Sequence, residues 1–349
     1  MQNNESYNAL AKKVNLLSKP KPKNEQSSFL KKPKGFFDEH STSVQESYSE
    51  HDEVTSLCED FGKRYPMYSY TSTQTKPPAY NYPFEKERVN LSVKKMAQIP
   101  IPEPQKSLLS ATCMGDSTLK IQKRYANARI QNRHSTEQAD WFFWKWSICQ
   151  EYTNGLSSIT YQKPDGFQRK KQNTKYDGKL KITTKAHPHL THLHSIICTG
   201  PKNQKTFKRS WLNHMTDVFL MVLWLDDGCL YNNYQGCFSL ESFPASDLKI
   251  FVCYLRKVWG IESEFRSTGA KKKDGTPCYK VYLKNQQNLL KLLRIIAPLI
   301  PVKQMLYKVL FVPFNDTDLL QRWASELADK VQPEFRDYII DFYGVSRFP

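Results

Sequence analysis

The chain has 349 residues, of which 51 are Lys or Arg and 34 are Asp or Glu, so its formal net charge is +17 at pH 7. Hydrophobic residues make up 39% of it, which is enough for a folded core and excludes disorder throughout. No apolar run approaches the roughly 20 residues of a membrane span, and the eight cysteines form no Cys-x-x-Cys pair. A membrane protein, a disulfide-rich secreted protein and a zinc ribbon are disfavoured, and the charge favours a partner such as nucleic acid.

The composition changes near residue 106. Residues 1–105 are rich in Lys, Ser, Tyr and Pro and show no sustained helical or strand period, whereas all seven tryptophans lie after them. We predict a mostly disordered, basic and Pro-rich extension over 1–105. Most of the excess positive charge lies beyond this extension, so the folded part is itself basic.

The folded part contains an internal repeat of one unit. Each copy opens with an apolar stretch of helical length that contains an acid near its end, LLSATCMGDSTL at Leu108–Leu119 and FLMVLWLDDGCL at Phe219–Leu230. The further elements predicted in chain order are a strand at Ala128–His134, a helix at Ala139–Glu151, a strand at Leu180–Thr184 and a helix at His189–Ile197, then a strand at Gln235–Phe243, a helix at Ser246–Trp259, a strand at Tyr279–Lys284 and a helix at Gln287–Ile296. The pattern predicts an α+β fold in which an αββαββα unit is duplicated about a pseudo-twofold axis.

Local signals place the ends of several elements. Ser246 is the expected N-cap of the helix that Gly260 ends. Basic, Gly-containing loops at Asp165–Gly178 and Thr268–Gly275 are expected to be hairpin connections that reach outward.

Two acids stand out because they occupy the same place in the two copies. Small residues at Ala111 and Gly115 would let the two apolar helices pack closely, so that Asp116 and Asp227 emerge side by side. One such acid alone is more often a polar residue facing water. Two neighbouring carboxylates repel each other unless a cation or a proton joins them, and oxygen ligands suit Mg²⁺. The pair therefore points to metal-assisted cleavage of phosphodiesters.

Each copy also offers a lysine at a similar distance from its acid. Lys205 follows Asp116 by 89 residues, and Lys308 follows Asp227 by 81. Either lysine could stabilise developing charge or orient the attacking water. The alternative for each is a contact with the DNA backbone.

The motifs FLMVLWLDDG and LLSATCMGDS resemble the paired motifs of the LAGLIDADG homing endonucleases, in the single-chain, two-motif branch. The resemblance covers roughly residues 107–312 and is supported by WLNHMTD, QGCFSLESF and IAPLIPVKQMLYKV. It implies two αββαββα halves whose motif helices form the interface. A four-stranded antiparallel sheet from each half would form a DNA-binding saddle in the major groove.

The same resemblance implies roles for the acids and lysines. Asp116 and Asp227 would bind Mg²⁺ (or Mn²⁺), and Lys308 in the MLYK segment would match the active-site lysine of the family. Lys205 would be its counterpart, with Lys208 as an alternative. The first motif has Ser117 where the family usually has glycine, so we expect a slight distortion there, because glycine tolerates positive φ and serine does not.

Strand residues are candidates for reading DNA bases through alternating side chains. Arg129, Gln131 and Arg133 share one strand face with Asn127 in line; Lys179, Lys181, Arg266 and Lys280 could serve similarly. The alternative is a solvated sheet face. The candidates for phosphate contacts are the loop residues Arg169, Lys170, Lys171 and Lys271–Lys273.

Two residue clusters are assigned structural roles. The histidines of HPHLTHLH (His187, His189, His192 and His194) lack a zinc-binding pattern, so we expect them on a helix surface or at phosphates. Trp141, Trp144 and Trp146 are expected in the core.

The sequence thus predicts a site-specific endonuclease that makes double-strand breaks and promotes intron mobility. It would act as a monomer on a long asymmetric DNA site and need no membrane. The alternatives are a maturase that binds intron RNA and a DNA-binding protein without catalysis. The resemblance implies an organelle, mitochondrion or chloroplast. The predicted domains are the N-terminal extension, halves at 106–210 and 211–313, and a C-terminal extension at 314–349.

Overall fold

The computed structural model describes residues 101–162 and 178–344, apart from the single residues 102, 104, 124 and 314. The predicted N-terminal extension, except for its last residues, and most of the predicted loop at 165–178 lie outside the described residues. The domain boundaries stay a prediction.

The elements repeat in the same order in two halves. The first half contains α1 (Gln105–Met114), β1 (Thr118–Ile121), β2 (Ala128–Ser135), α2 (Ala139–Cys149), β3 (Ile159–Gln162), β4 (Lys179–Thr183) and α3 (Pro188–Ile197). A short helix α4 (Arg209–Leu212) leads to the second half, which contains α5 (Asp217–Asp227), β5 (Gly228–Tyr231), β6 (Gln235–Phe238), α6 (Ala245–Trp259), β7 (Ser263–Lys271), β8 (Pro277–Leu283) and α7 (Gln286–Ile296). Two further helices follow, α8 (Thr317–Lys330) and α9 (Arg336–Tyr343).

Each half forms one four-stranded antiparallel sheet. The strand orders are β1-β2-β4-β3 and β5-β6-β8-β7, so the second sheet repeats the first. Helices α2 and α3 pack on the first sheet, and α6 and α7 pack on the second. This architecture confirms the predicted α+β fold with a duplicated αββαββα unit.

The structure corrects several predicted element ends. The stretch at Leu108–Leu119 contains the end of α1 and the start of β1, because the chain turns at the acid instead of after it. The strand predicted at Gln235–Phe243 ends at Phe238. The N-cap of α6 is Pro244, and Ser246 lies inside the helix, so the predicted Ser246 cap is wrong. The stop at Gly260 is confirmed by its left-handed φ of 65°.

The motif helices α1 and α5 are buried against each other between the two sheets. Every residue from Val218 to Leu225 in α5 is buried, which explains why this helix is apolar on all sides. In α1 every residue from Ser107 to Met114 is buried. No helix in the described part of the chain is long and apolar enough to cross a membrane.

The close approach of the motif helices depends on Gly115. A Cβ added at this glycine would lie 2.5 Å from Oδ2 and 2.8 Å from Cβ of Asp226, which is closer than atoms can pack. The small residue predicted to allow close packing is therefore required there. It sets the separation of the turns that carry the two acids.

The rest of the core fills the space between sheets and helices. Trp141, Trp144 and Trp146 are all buried, which confirms their predicted core position, and the first two stack with ring centroids 4.7 Å apart. They contribute apolar area beneath the first sheet.

The segment after residue 313 completes the core of the second half. Trp323, Leu327 and Ile339 of α8 and α9 are buried. The Tyr343 hydroxyl donates a hydrogen bond to the Phe311 carbonyl oxygen at 2.8 Å. The predicted C-terminal extension thus packs directly on the chain that follows Lys308.

We expect the series Gly115→Ala, Gly115→Ser and Gly115→Val to lower the free energy of unfolding progressively, starting at about 1–3 kcal/mol, because each larger side chain forces the motif helices further apart. Urea unfolding monitored by tryptophan fluorescence measures the effect. The same series at Gly155 is the control, because that glycine has positive φ but open space around it. There Gly155→Ala and Gly155→Ser should cost about the same backbone strain, and the β-branched valine should cost more. A rise from alanine to valine that is no steeper at Gly115 than at Gly155 would contradict the steric role of Gly115.

Candidate functional site

Asp116 and Asp227 lie at the same end of the paired motif helices. Asp227 is the last residue of α5, and Asp116 lies two residues beyond the end of α1. Their charges influence each other, since the carboxylate of Asp116 contributes to the raised pKa of Asp227. The structure therefore brings the two predicted acids together.

The two predicted lysines occupy equivalent positions beside these acids. The Nζ of Lys205 donates hydrogen bonds to the carbonyl oxygens of Gly115 at 3.1 Å and Ser117 at 2.8 Å. The Nζ of Lys308 donates to the carbonyl oxygen of Gly228. Ser117 and Gly228 each directly follow an acid, so the arrangement is repeated in the two halves.

Lys205, rather than the alternative Lys208, reaches the turn of Asp116. Lys208 is exposed, and it precedes helix α4. The backbone of Lys308 is also held in place, because the Trp224 indole N–H donates a hydrogen bond to the Lys308 carbonyl oxygen at 3.0 Å. Both lysines are thus held by the main chain around the motifs.

The expected strain at Ser117 is absent. Ser117 is not among the described residues with positive φ, and its counterpart Gly228 has a φ of −74°, which any residue can adopt. A Cβ at Gly228 would instead lie 2.3 Å from the ring of Trp224. Positive φ at residue 117, the cause given for a distorted first site, is therefore wrong. The two turns do differ, because Asp116 lies beyond the end of α1 whereas Asp227 is the last residue of α5.

Burial and mutual repulsion make both acids resist ionisation. Burial raises the pKa of Asp227 to about 7, and the nearby charges of Asp226 and Asp116 add to the effect. Burial among protein atoms also raises the pKa of Asp116, and again the charge of Asp226 adds to it, although the residue retains an exposed surface. A bound cation would relieve this repulsion, and carboxylate oxygens are the ligands that Mg²⁺ prefers. The donor set therefore fits a divalent metal.

Sequence reasoning missed Asp226, the acid before Asp227. Its side chain is fully buried and forms an ion pair with Lys145 of α2, whose side chain is 1% exposed. The Trp141 indole N–H donates to the same carboxylate oxygen at 2.9 Å. One signal was present in the sequence: Lys145 is the only charged residue in the apolar run from Trp141 to Cys149.

A second group of possible metal ligands exists around Asp226. One ligand atom each of Asp116, His134 and Asp226 lies within 4.8 Å of the others. However, the Nζ of Lys145 already contacts Asp226 and lies 3.3 Å from Nε2 of His134. Burial and the charge of Lys145 lower the pKa of His134 to about 4, which keeps the ring neutral. An ammonium group therefore already neutralises this cluster, whereas the charges of Asp116 and Asp227 repel each other.

The open face of the first sheet carries the predicted base-reading residues of that half. Arg129, Gln131 and Arg133 alternate with buried residues along β2. Cross-strand partners on this face include Lys120 opposite Arg129 and Lys181 opposite Arg133. Its strands contain no acidic residue, so the face is strongly basic. Lys120, which sequence reasoning missed, belongs to it.

Three of the predicted residues on this side make internal contacts. The Gln131 amide donates to Thr183 at 3.3 Å, and the Arg129 guanidinium stacks on the Tyr125 ring at 4.0 Å. The Asn127 side-chain oxygen accepts a hydrogen bond from the Thr191 hydroxyl at 2.9 Å, which ties this residue to α3. Lys179 lies opposite Ser135 at the end of the sheet.

The open face of the second sheet has mixed charge. Arg266 and Lys280 are cross-strand partners, so their side chains lie on the same face of the sheet, as their predicted role in base reading requires. Arg266 pairs with Glu264, and Lys280 lies 3.4 Å from Glu241. The loop lysines 271–273 lie at the β7–β8 connection, whereas Arg169, Lys170 and Lys171 lie outside the described residues.

The four histidines of HPHLTHLH do not converge on one point. The Nδ1 of His187 accepts a hydrogen bond from the backbone N–H of His189 and caps α3, and Nδ1 of His189 lies 3.3 Å from the Tyr152 hydroxyl. Among the described residues they form no cluster of metal ligands. The expected surface position is wrong for His189 and His194, which are buried against the rest of the first half.

Asp227 should make the free energy of unfolding in EDTA fall as the pH rises from about 4 to about 7, because folded Asp227 retains a proton that the unfolded chain releases near pH 4. His134 acts in the opposite sense over most of this range, because its pKa is lowered to about 4 in the folded chain, so the contribution of Asp227 is read from the difference between the wild type and Asp227→Asn. Asp227→Asn should remove much of this slope and stabilise the fold at pH 8 by about 1–2 kcal/mol, less than the whole pKa shift implies because the side chain is partly exposed. Thermal unfolding across this pH range measures both effects. Asp341→Asn, at an exposed acid of α9, is the control; equal slopes for the wild type and Asp227→Asn would contradict the assignment.

Comparisons with known proteins identify a family and a similar fold. A model of the LAGLIDADG DNA endonuclease family matches residues 107–289, just over half of the chain. The fold is similar to that of the homing endonuclease I-WcaI bound to its DNA recognition sequence, with a TM-score of 0.50 and 17% sequence identity. This match covers 64% of this chain and 96% of the other, and at such identity it shows the fold alone. A comparison with curated proteins finds no match.

Proposed function

Because the chain belongs to the LAGLIDADG DNA endonuclease family, we propose that it is a site-specific endonuclease that cleaves both strands of duplex DNA with a divalent metal. The observation that carries this proposal is the repeated pairing of an acid with a lysine at the meeting point of the motif helices. Two equivalent centres suit a reaction that must cut two strands.

The acids and the lysines have different roles in the proposed reaction. Asp116 and Asp227 would hold Mg²⁺ or Mn²⁺, and the bound metal would supply positive charge to stabilise the charge that develops on the phosphodiester. Lys205 and Lys308, each bound to a carbonyl oxygen next to an acid, are placed to stabilise the same charge or to orient the attacking water. The apolar motif helices keep the floor of the centre free of water.

The two sheets supply the DNA surface. Side chains that alternate along β-strands suit the major groove, where each base pair presents a distinct pattern of donors and acceptors. Arg129 and Arg133 are suited to guanine and Gln131 to adenine, with Arg266 and Lys280 on the other sheet. Because the two faces differ in chemistry, we infer a target site without twofold symmetry.

The nuclease is favoured over a maturase. Strain at Ser117 was the reason to consider lost cleavage, and Ser117 does not have positive φ. Intron mobility, an organellar location and intron RNA as a partner are proposals that rest on the family resemblance. Both halves are present in one chain, so we propose that it acts as a monomer.

Cleavage of a library of intronless organellar DNA by the full chain, with Mg²⁺ and with EDTA, tests the activity. We expect discrete cuts that need Mg²⁺, and a loss of roughly 1,000-fold in Asp116→Asn and in Asp227→Asn. Asp341→Asn is the matched control and should cleave normally. If binding falls steeply with salt but no cuts appear, the endonuclease proposal is wrong, and binding to intron RNA becomes the next measurement.

Replacing one lysine at a time should show which centre cleaves which DNA strand. We expect Lys205→Met to slow cleavage of one strand and Lys308→Met to slow cleavage of the other, because each lysine is bound next to one acid. Strand-specific end labelling of the selected target measures the two nicking rates. Equal slowing of both strands by both variants would indicate one shared centre.

Arg133→Ala should weaken binding by about 1–3 kcal/mol and relax base preference at one position, because a bidentate contact to guanine is lost. Fluorescence anisotropy with the selected target and its point variants, in EDTA, measures both. Arg322→Ala, at an exposed arginine of α8, is the control. A uniform loss on every sequence would assign Arg133 to the phosphate backbone instead.

A further inference from the structure

Asp226 bridges the two halves at three points. One carboxylate oxygen, Oδ1, receives the Lys145 ammonium and the Trp141 indole N–H, both from α2 of the first half. The other oxygen, Oδ2, accepts a hydrogen bond from the backbone N–H of Asp116 at 3.3 Å. An acid of the second motif is therefore bonded to the main chain of the first.

The backbone around Asp116 explains why this contact is needed. Helix α1 ends at Met114, and the N–H groups of Gly115 and Ser117 return to the carbonyl oxygens of Ala111 and Thr112. The N–H of Asp116 lies between them, and Asp226 provides its acceptor. By contrast, Asp227 still lies within α5. Only the first acid stands on a turn that the other half must hold.

Among the described residues, no side chain of the first motif makes an equivalent contact with the turn of the second. The residue equivalent to Asp226 in the first motif is Gly115, which has no side chain. The carboxylate of Asp226 occupies the space where a side chain of residue 115 would be. The second motif therefore supplies a side chain to the first at this position, and the first supplies none to the second.

The carboxylate is held rigidly. Trp141 and Lys145 are four residues apart on α2, so they lie on one face of the helix. The Trp141 ring is stacked on Trp144, and both members of the ion pair are excluded from solvent. A buried charge pair of this kind has strict geometry, because each group would be costly without its partner.

We propose that Asp226, Lys145 and Trp141 form a clasp that positions Asp116, so that the first catalytic centre depends on an acid supplied by the second half and the second centre has no such dependence. The three are positioning residues. This inference rests on the proposed function for its consequence in cleavage, although the clasp itself can be measured without DNA or metal.

The first experiment follows amide hydrogen exchange by mass spectrometry in the full chain, in EDTA and without DNA. The test variant is Lys145→Met combined with Asp226→Leu, since an apolar pair can replace a buried ion pair without unfolding the protein. We expect exchange over residues 114–117 to accelerate at least tenfold, with residues 226–229 unchanged. Asp226→Asn, which keeps an acceptor oxygen, should accelerate it less. Unchanged exchange at 114–117 would overturn the clasp.

Asn288→Leu is the matched control. The buried Asn288 side chain accepts a hydrogen bond from the Glu262 backbone N–H at 2.7 Å, so it anchors a main-chain amide between α6 and β7 instead of one at the acids. Its loss should lower stability without changing exchange at 114–117. If this control accelerates exchange there as much as the double variant does, a general loosening explains the result and the clasp is wrong.

The second experiment measures nicking of each strand of the target selected by the wild type, with strands assigned by Lys205→Met and Lys308→Met. The double variant should slow the strand assigned to Lys205 by roughly 100-fold, as a displacement of about 1 Å can do, and the other strand less than threefold. Binding to the same DNA in EDTA should not change. Equal slowing of both strands would overturn the one-way dependence. If the wild type cleaves no DNA, the proposed function fails, and the exchange experiment still decides the clasp.

Discussion

The contact between Gly115 and Asp226 at the motif-helix interface is the constraint on which the rest of the structure depends. Because a glycine allows one helix to approach the other, the two acid-bearing turns lie close together. The same approach sets the distance between the sheets, since β1 and β5 begin within four residues of the helix ends. The spacing of the two acids and the spacing of the two sheets therefore depend on one packing contact.

The electrostatics of the centre follow from this crowding. Three carboxylates and three ammonium groups gather at the foot of two apolar helices: Asp116, Asp226, Asp227, Lys145, Lys205 and Lys308. One pair is satisfied internally, because Lys145 neutralises Asp226 in the buried interior. The other two acids remain under mutual repulsion, which favours a cation between them. Burial thus separates a structural acid from two acids available for chemistry, although Asp226 and Asp227 are neighbours in the chain.

Local pattern and duplication made much of this structure predictable. The alternation of Arg129, Gln131 and Arg133 predicted their shared face correctly, since side chains of a strand alternate whatever the fold. Short strands such as β1 and β3, with four residues each, gave no period long enough to read. The bond between Lys145 and Asp226 joins residues 81 positions apart, and no local rule specifies such a pair. The absence of positive φ at Ser117 follows from the course of the backbone where α1 ends, which the pattern of side chains does not specify.

The unequal residues at the helix contact also bear on how the two halves are joined. Residues 115 and 226 are equivalent positions that touch each other across the pseudo-twofold axis. In a symmetric dimer of either half, the same residue would meet itself there. Two copies of the second half would bury aspartate against aspartate there, without the Lys145 ammonium and the Trp141 indole that the first half supplies. The carboxylate at residue 226 is therefore matched to the other half of this chain rather than to a second copy of its own.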